Sequence, residues 1–162
     1  MEKLYTESET GCCPRFDPKP WDKRTVIMKD KLFLKAHVIS LFHIPLNFGS
    51  VITKKMEKVK AANALSKKPF MLSDENSMWG SDMYIAVDKE VPGEDMVKIS
   101  GTFLTKVYEG AYKDISKWIA NMGEYISSKN KTCQKMYFFY TTCPACAKYY
   151  GKNYVVLLAK IK

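Results

Sequence analysis

Between Thr25 and His43 the chain is rich in β-branched and aromatic residues: Val26, Ile27, Leu32, Phe33, Leu34, Val38, Ile39, Leu41 and Phe42. This composition predicts strand structure, with a turn near Lys29-Asp30-Lys31. Ile44-Pro45 then opens a helix. Phe48, Val51, Ile52, Met56, Val59 and Ala62 recur at spacings of three and four, while lysines 54, 55, 58 and 60 take the opposite face. Short strands at Phe70–Leu72 and Met83–Val87 flank a polar loop, Ser73–Ser81, and Pro92-Gly93 breaks the chain. The second half predicts a strand over Met96–Tyr108 with Gly101 inside it, then a turn at Glu109-Gly110-Ala111-Tyr112. A helix with Ile115, Trp118, Ile119, Met122 and Ile126 on one face follows and stops at Asn130. The last elements are a strand over Met136–Thr141, a loop over Thr142–Asn153, and a strand over Tyr154–Ile161.

The order strand, helix, strand, strand thus occurs twice, in units of about 25–90 and 96–162. The match lies in element order and helix face more than in residue identity. Residues 1–24 read as an arm. Pro14, Pro18 and Pro20 exclude a helix there, and Phe16 and Trp21 are apolar enough to pack onto the domain. The expected fold is α+β: two tandem βαββ units forming one antiparallel sheet, with both helices on one face and a concave ligand groove on the other.

Composition narrows the setting. A chain of 162 residues fits one domain or two packed halves, and no apolar run approaches the ~20 residues of a membrane span. The polar, partly acidic start shows no secretory signal. Five cysteines, an odd number, argue against a complete disulfide framework. The expected location is cytoplasmic. The net charge of +9 is divided as +1 over residues 1–95 and +8 over 96–162. A basic half suits nucleic acid, an anionic ligand or an acidic partner. Its lysines are scattered, however, and both arginines, Arg15 and Arg24, lie in the other half. Arginine forks dominate specific phosphate and base contacts, so a solubilising lysine surface is the simpler reading and nucleic acid ranks last.

Several groups of residues carry candidate chemistry. Cys143-Pro144-Ala145-Cys146 is a CxxC, which serves as half a zinc site, as a redox pair, or as an ordinary loop. In a strand–strand loop it lacks the strand-to-helix setting of thioredoxin-like motifs. Cys133 lies about eight strand residues away, roughly 26 Å, too far to join it. Cys12 and Cys13 on the arm are better partners, giving Cys12, Cys13, Cys143 and Cys146 as a candidate structural zinc site. No other cofactor is expected. In the loop before Met83, Glu75 and Trp79 offer a carboxylate and an apolar wall suited to a flat organic ligand. His43 and Glu109 each fall at a strand-to-helix turn, one per unit, where an imidazole and a carboxylate can activate water. Candidate catalytic residues are therefore Glu109, Glu75 and His43. Trp21, Trp79, Tyr84, Tyr108, Tyr112, Phe138 and Tyr140 are candidate ligand-binding aromatics. No HExxH, GxSxG or phosphate-cradling glycine loop occurs, and a Ser–His–Asp triad would have to use His37 or His43.

The stretch Ser100-Gly101-Thr102-Phe103, leading to Tyr108-Glu109-Gly110-Ala111-Tyr112 and a helix holding Trp118, resembles the GyrI-like (gyrase-inhibitor-like) small-molecule-binding family. The likeness covers about Thr25 to Ile161. It implies an effector-binding module of the kind found in drug-responsive regulators, or a stand-alone domain, some of which are hydrolases that open strained electrophilic rings. Many multidrug-binding members place a glutamate on the final strand; here Tyr154-Val155-Val156-Leu157-Leu158 has no acid, which argues against cation binding by that route. No DNA-binding helix-turn-helix is expected ahead of the domain. Three functions follow in order: a stand-alone binder of a small, largely aromatic or hydrophobic molecule; a hydrolase using a groove carboxylate to activate water; and a basic nucleic-acid or protein-interaction domain.

Overall fold

The structure is a computed structural model, and it describes residues 13–42, 44–75 and 77–162. The chain divides into two compact units. One is Ile27–Gly101; the other, here the terminal unit, joins Met1–Val26 to Thr102–Lys162.

In the first of these, β1 (Arg24–Leu41) enters as a single 18-residue strand. The expected turn at residues 29–31 is absent. Asp30 adopts a positive φ of 48°, which its short polar side chain tolerates. Ser100 receives its backbone N–H at 2.7 Å and donates to its carboxylate at 3.1 Å, so the chain bends locally without leaving the strand. A two-residue strand β2 (Ile44–Pro45) pairs back on the end of β1. Helix α1 (Phe48–Ala61) therefore starts after Pro45, not at it. Pairing continues from β1 to β4 (Gly80–Ala86), and from β4 to β3 (Met71–Asp74). The core is the α1 side of this layer: Val59 packs with Leu34, Ala36, Val38, Met83, Ile85 and Val87. These are alternate strand positions, as a half-buried pleated sheet requires.

The terminal unit is built on the C-terminal part of β5 (Met96–Glu109). A 3-10 turn at Tyr112–Asp114 leads into α2 (Ile115–Ser128). Trp118, Met122 and Ile126 are buried against Leu104, Phe138, Val155, Leu157 and Ala159; Ile119, expected on that face, is exposed. Asn130 has the left-handed φ of 55° that suits a helix stop. Pairing runs from β5 to β7 (Tyr154–Ile161) and from β7 to β6 (Cys133–Tyr140). The expected Thr142–Asn153 loop contains a third helix, α3 (Pro144–Tyr150). Pro144 stands at its first turn and Gly151, at φ 71°, closes it. Its seven residues are too few to show a clear helical period in the sequence. On the other strand face the arm is seated by aromatic contacts: Phe16 meets Phe139 and Tyr154, and Trp21 meets Phe139. Thr105 donates from Oγ1 to the Trp21 carbonyl, and Val107 N–H donates to Asp22 at 3.1 Å.

The expected open sheet with both helices on one face and a concave groove on the other is overturned. The strands form two antiparallel sets, β2-β1-β4-β3 in Ile27–Gly101 and β6-β7-β5 in the terminal unit, and α1 and α2 each pack on the set of their own unit. Among the described residues, no helix is long and apolar enough to cross a membrane.

Candidate functional site

The chemically richest strand face lies in the Ile27–Gly101 unit, opposite the α1 core. On β1 the apolar Leu34, Ala36 and Val38 alternate with Lys35, His37 and Ile39. Register sets Lys35 against Tyr84, His37 against Asp82, and Ile39 against Gly80. The next pairing sets Asp82 against Asp74, which is only 5% exposed, and Tyr84 against Leu72. His37 Nδ1 lies 3.0 Å from Asp82 Oδ1, and Lys35 Nζ lies 3.7 Å from Oδ2 of the same carboxylate. A carboxylate only accepts, so it places the ring hydrogen on Nδ1 and leaves Nε2 as the basic atom. The His37 side chain is 63% exposed. Its ring lies over Gly80, where a side chain would meet Cε1 and Nε2 at 2.7 Å.

Beyond Gly80, Trp79 (57% exposed) meets Phe42 (63% exposed) with ring centroids 5.5 Å apart. The Trp79 carbonyl accepts from Ser40 N–H at 2.8 Å, which ties this aromatic pair to the end of β1. Glu75, half-buried after β3, accepts from Ser73 Oγ at 3.4 Å. Tyr84 is buried and meets Phe33 edge-on at 6.4 Å. The unit thus offers an oriented imidazole, carboxylates and solvent-facing aromatic rings.

The remaining sequence candidates are placed elsewhere. His43 and Cys12 lie outside the described residues. Glu109 is exposed at the end of β5 in the terminal unit, whereas Glu75 belongs to the other unit. Glu109 borders a shallow recess of about 420 Å³ with Ala147, Lys148 and Asn153. Trp21 is half-buried on the arm. Tyr108 stacks on Trp118 and donates to Asn121 at 2.8 Å. Tyr112 stacks on Tyr140 at 4.9 Å, and Tyr140 on Phe138 at 6.2 Å, with Phe138 in the α2 core. Cys13, Cys143 and Cys146 come together, their sulfurs all within 4.8 Å of one another. The CxxC is not in a plain strand–strand loop: Cys143 caps α3 and Cys146 lies in its first turn.

Sequence reasoning passed over Lys35 and Asp82, and named His37 only as one of two histidines open to a triad. The alternation of Lys35 and His37 with apolar neighbours was a visible signal that both share one strand face. Their meeting with Asp82 depends on strand register, which is a property of the pairing.

Antiparallel strands with a helix packed on each set, and this polar-aromatic face, define a class of small α+β domains. The sequence profile of the bacterial hydrolase family matches residues 4–161, and the chain belongs to that family. No curated protein matches it in sequence. Among solved structures, a hydrolase from Listeria innocua is similar with a TM-score of 0.64 and 9% identity, over 87% of this chain and 93% of that one. The EcmrR C-terminal domain gives 0.65 and 10% identity, over 88% and 98%. SAV2435 bound to tetraphenylphosphonium gives 0.52 and 10% identity, over 86% and 93%. At such identities the likeness is one of fold. These matches fit a GyrI-like fold family.

Proposed function

We propose that this protein binds a small, largely aromatic or hydrophobic organic molecule against the Phe42–Trp79 pair, beside His37 and Asp82. The observation that carries this reading is the pair itself: two large rings in mutual contact, both more than half exposed, on the unit that also holds the oriented imidazole. Exposed aromatic rings rimmed by polar groups mark ligand or partner surfaces. The tetraphenylphosphonium held by SAV2435, a compound of four aromatic rings around a positive charge, supports the same ligand class. Glu75, Asp74 and Asp82 supply negative charge that suits a cationic member of it, without an acid on the final strand.

The test is a calorimetric titration with tetraphenylphosphonium of the wild type and of Trp79→Ala. Micromolar binding that weakens about tenfold in the variant is expected, as loss of one aromatic contact is worth ~1 kcal/mol or more. Binding unchanged by Trp79→Ala removes the aromatic pair from the site.

A second reading, hydrolysis, is favoured by the His37–Asp82 contact. With Nδ1 held by Asp82, Nε2 takes a proton from water as it attacks an electrophilic carbon, and returns that proton to the leaving oxygen or nitrogen. The family name points the same way. Incubation with a panel of strained or activated aromatic electrophiles, read by mass spectrometry, tests it. The expected product is substrate plus one water, formed by wild type and lost in His37→Asn with binding retained. Compounds that bind and are recovered unchanged leave binding as the whole function.

A further inference from the structure

We infer that Cys13, Cys143 and Cys146 form a thiolate site for a zinc ion, which ties the arm ahead of β1 to the start of α3. This lies beyond the small-molecule reading and uses none of its residues.

The geometry carries the assignment. The three sulfurs lie within 4.8 Å of one another, and no disulfide joins these cysteines. A disulfide would need sulfurs about 2.05 Å apart. In a tetrahedral zinc site with Zn–S near 2.3 Å, neighbouring sulfurs stand about 3.8 Å apart, so the trio needs only a small contraction. Two ligands come from a Cys-x-x-Cys across the cap and first turn of α3, a recurring spacing for structural zinc. The third arrives from the arm, 130 residues earlier.

The surroundings suit metal-bound sulfur. Cys146 is 3% exposed, and Cys13 and Cys143 are half-buried, so the sulfurs are partly shielded from water. The Cys143 backbone N–H points at Cys13 Sγ at 3.4 Å, the kind of outer hydrogen bond that steadies a ligating thiolate. Tyr150 donates its hydroxyl to the Cys13 carbonyl at 2.5 Å, with Arg15 4.6 Å above its ring, which fixes the arm's ligand against α3. Three thiolates and one Zn²⁺ leave a single negative charge, and the two ligands on α3 lie in the half of the sequence that carries +8. Zinc's fourth position goes to a further ligand or to water.

The test is metal analysis of the full chain, purified under reducing conditions without chelator. About one zinc per chain is expected. Removing it with a strong chelator lowers the melting temperature by at least ~5 °C, and added zinc restores it. Cobalt(II) taken up in its place shows thiolate-to-metal charge-transfer absorption. Cys13→Ser, on the arm and outside the core, loses metal and absorption while keeping its far-UV circular dichroism. Cys133→Ser, at the exposed start of β6, retains both. Zinc below ~0.1 per chain overturns the proposal. So does equal loss in Cys133→Ser, or a Cys143–Cys146 disulfide that persists in reductant.

Discussion

A Cβ on Gly80 would lie 2.7 Å from both Cε1 and Nε2 of His37, so the imidazole occupies the room that a side chain at residue 80 would need. Gly80 is thus part of what orients His37, as Asp82 is from the other side of the ring.

Gly80→Ala is expected to displace the His37 ring and break its contact with Asp82. The Val38 carbonyl, 3.0 Å from the same position, blocks the alternative of moving the strand. Because the clashing atoms end an exposed side chain that can swing aside, the cost in stability is about 1 kcal/mol or less. Urea unfolding measures that loss. Nitrogen chemical shifts of the His37 ring report whether Nδ1 still carries its hydrogen; an unchanged tautomer signal would show that the ring does not depend on Gly80.

Glu94 is buried between two α1 lysines, Lys55 and Lys58, and bonds to both. Lys55 first and Lys58 second hold its carboxyl below the ordinary glutamate value, against burial, which raises it. A lowered folded-state pKa stabilises the fold above the unfolded carboxylate's pKa, and that stability is lost as pH falls through the folded value. Glu94→Gln should cost about 1–3 kcal/mol at pH 7. The gap to wild type should narrow below about pH 4. Melting curves of both proteins across that range check the sign; a gap that grows on acidification contradicts it.

Tyr108 makes the opposite prediction at high pH. Burial, and then the charge of Asp22, push its phenol well above the ordinary tyrosine value of 10.0. A raised folded-state value means stability is complete below about pH 10 and declines as pH climbs above it. Ultraviolet titration should show a phenol step for Tyr108 that comes after the ordinary tyrosine range. Tyr108→Phe should remove that late step and lessen the alkaline fall in melting temperature.

Leu157 is fully buried on β7 against the α2 residues Trp118 and Met122. Leu157→Ala should destabilise the protein by about 2–5 kcal/mol through lost transfer energy and a residual cavity. A change below 1 kcal/mol by urea unfolding would mean that this core readily collapses around the gap.

Much of the secondary structure was determined by the sequence itself. Val59 on α1, and Trp118, Met122 and Ile126 on α2, were legible because helical spacing brings apolar residues to one face wherever the helix sits. The last strand, Tyr154–Ile161, was legible for the corresponding reason in a strand. Tertiary structure decided the rest. The pairings of β1 with β4 and of β5 with β7 join strands far apart in the chain, which no local pattern encodes. Asp30 could pass as a turn until Ser100, seventy residues away, was seen to hold it within β1. Thr142–Asn153 read as loop because seven helical residues show too little period. The meeting of His37 with Asp82 has the same origin as the meeting of Cys13 with Cys143 and Cys146. Residue types are local, but which groups come within bonding distance is set by strand register and by the docking of a distant segment.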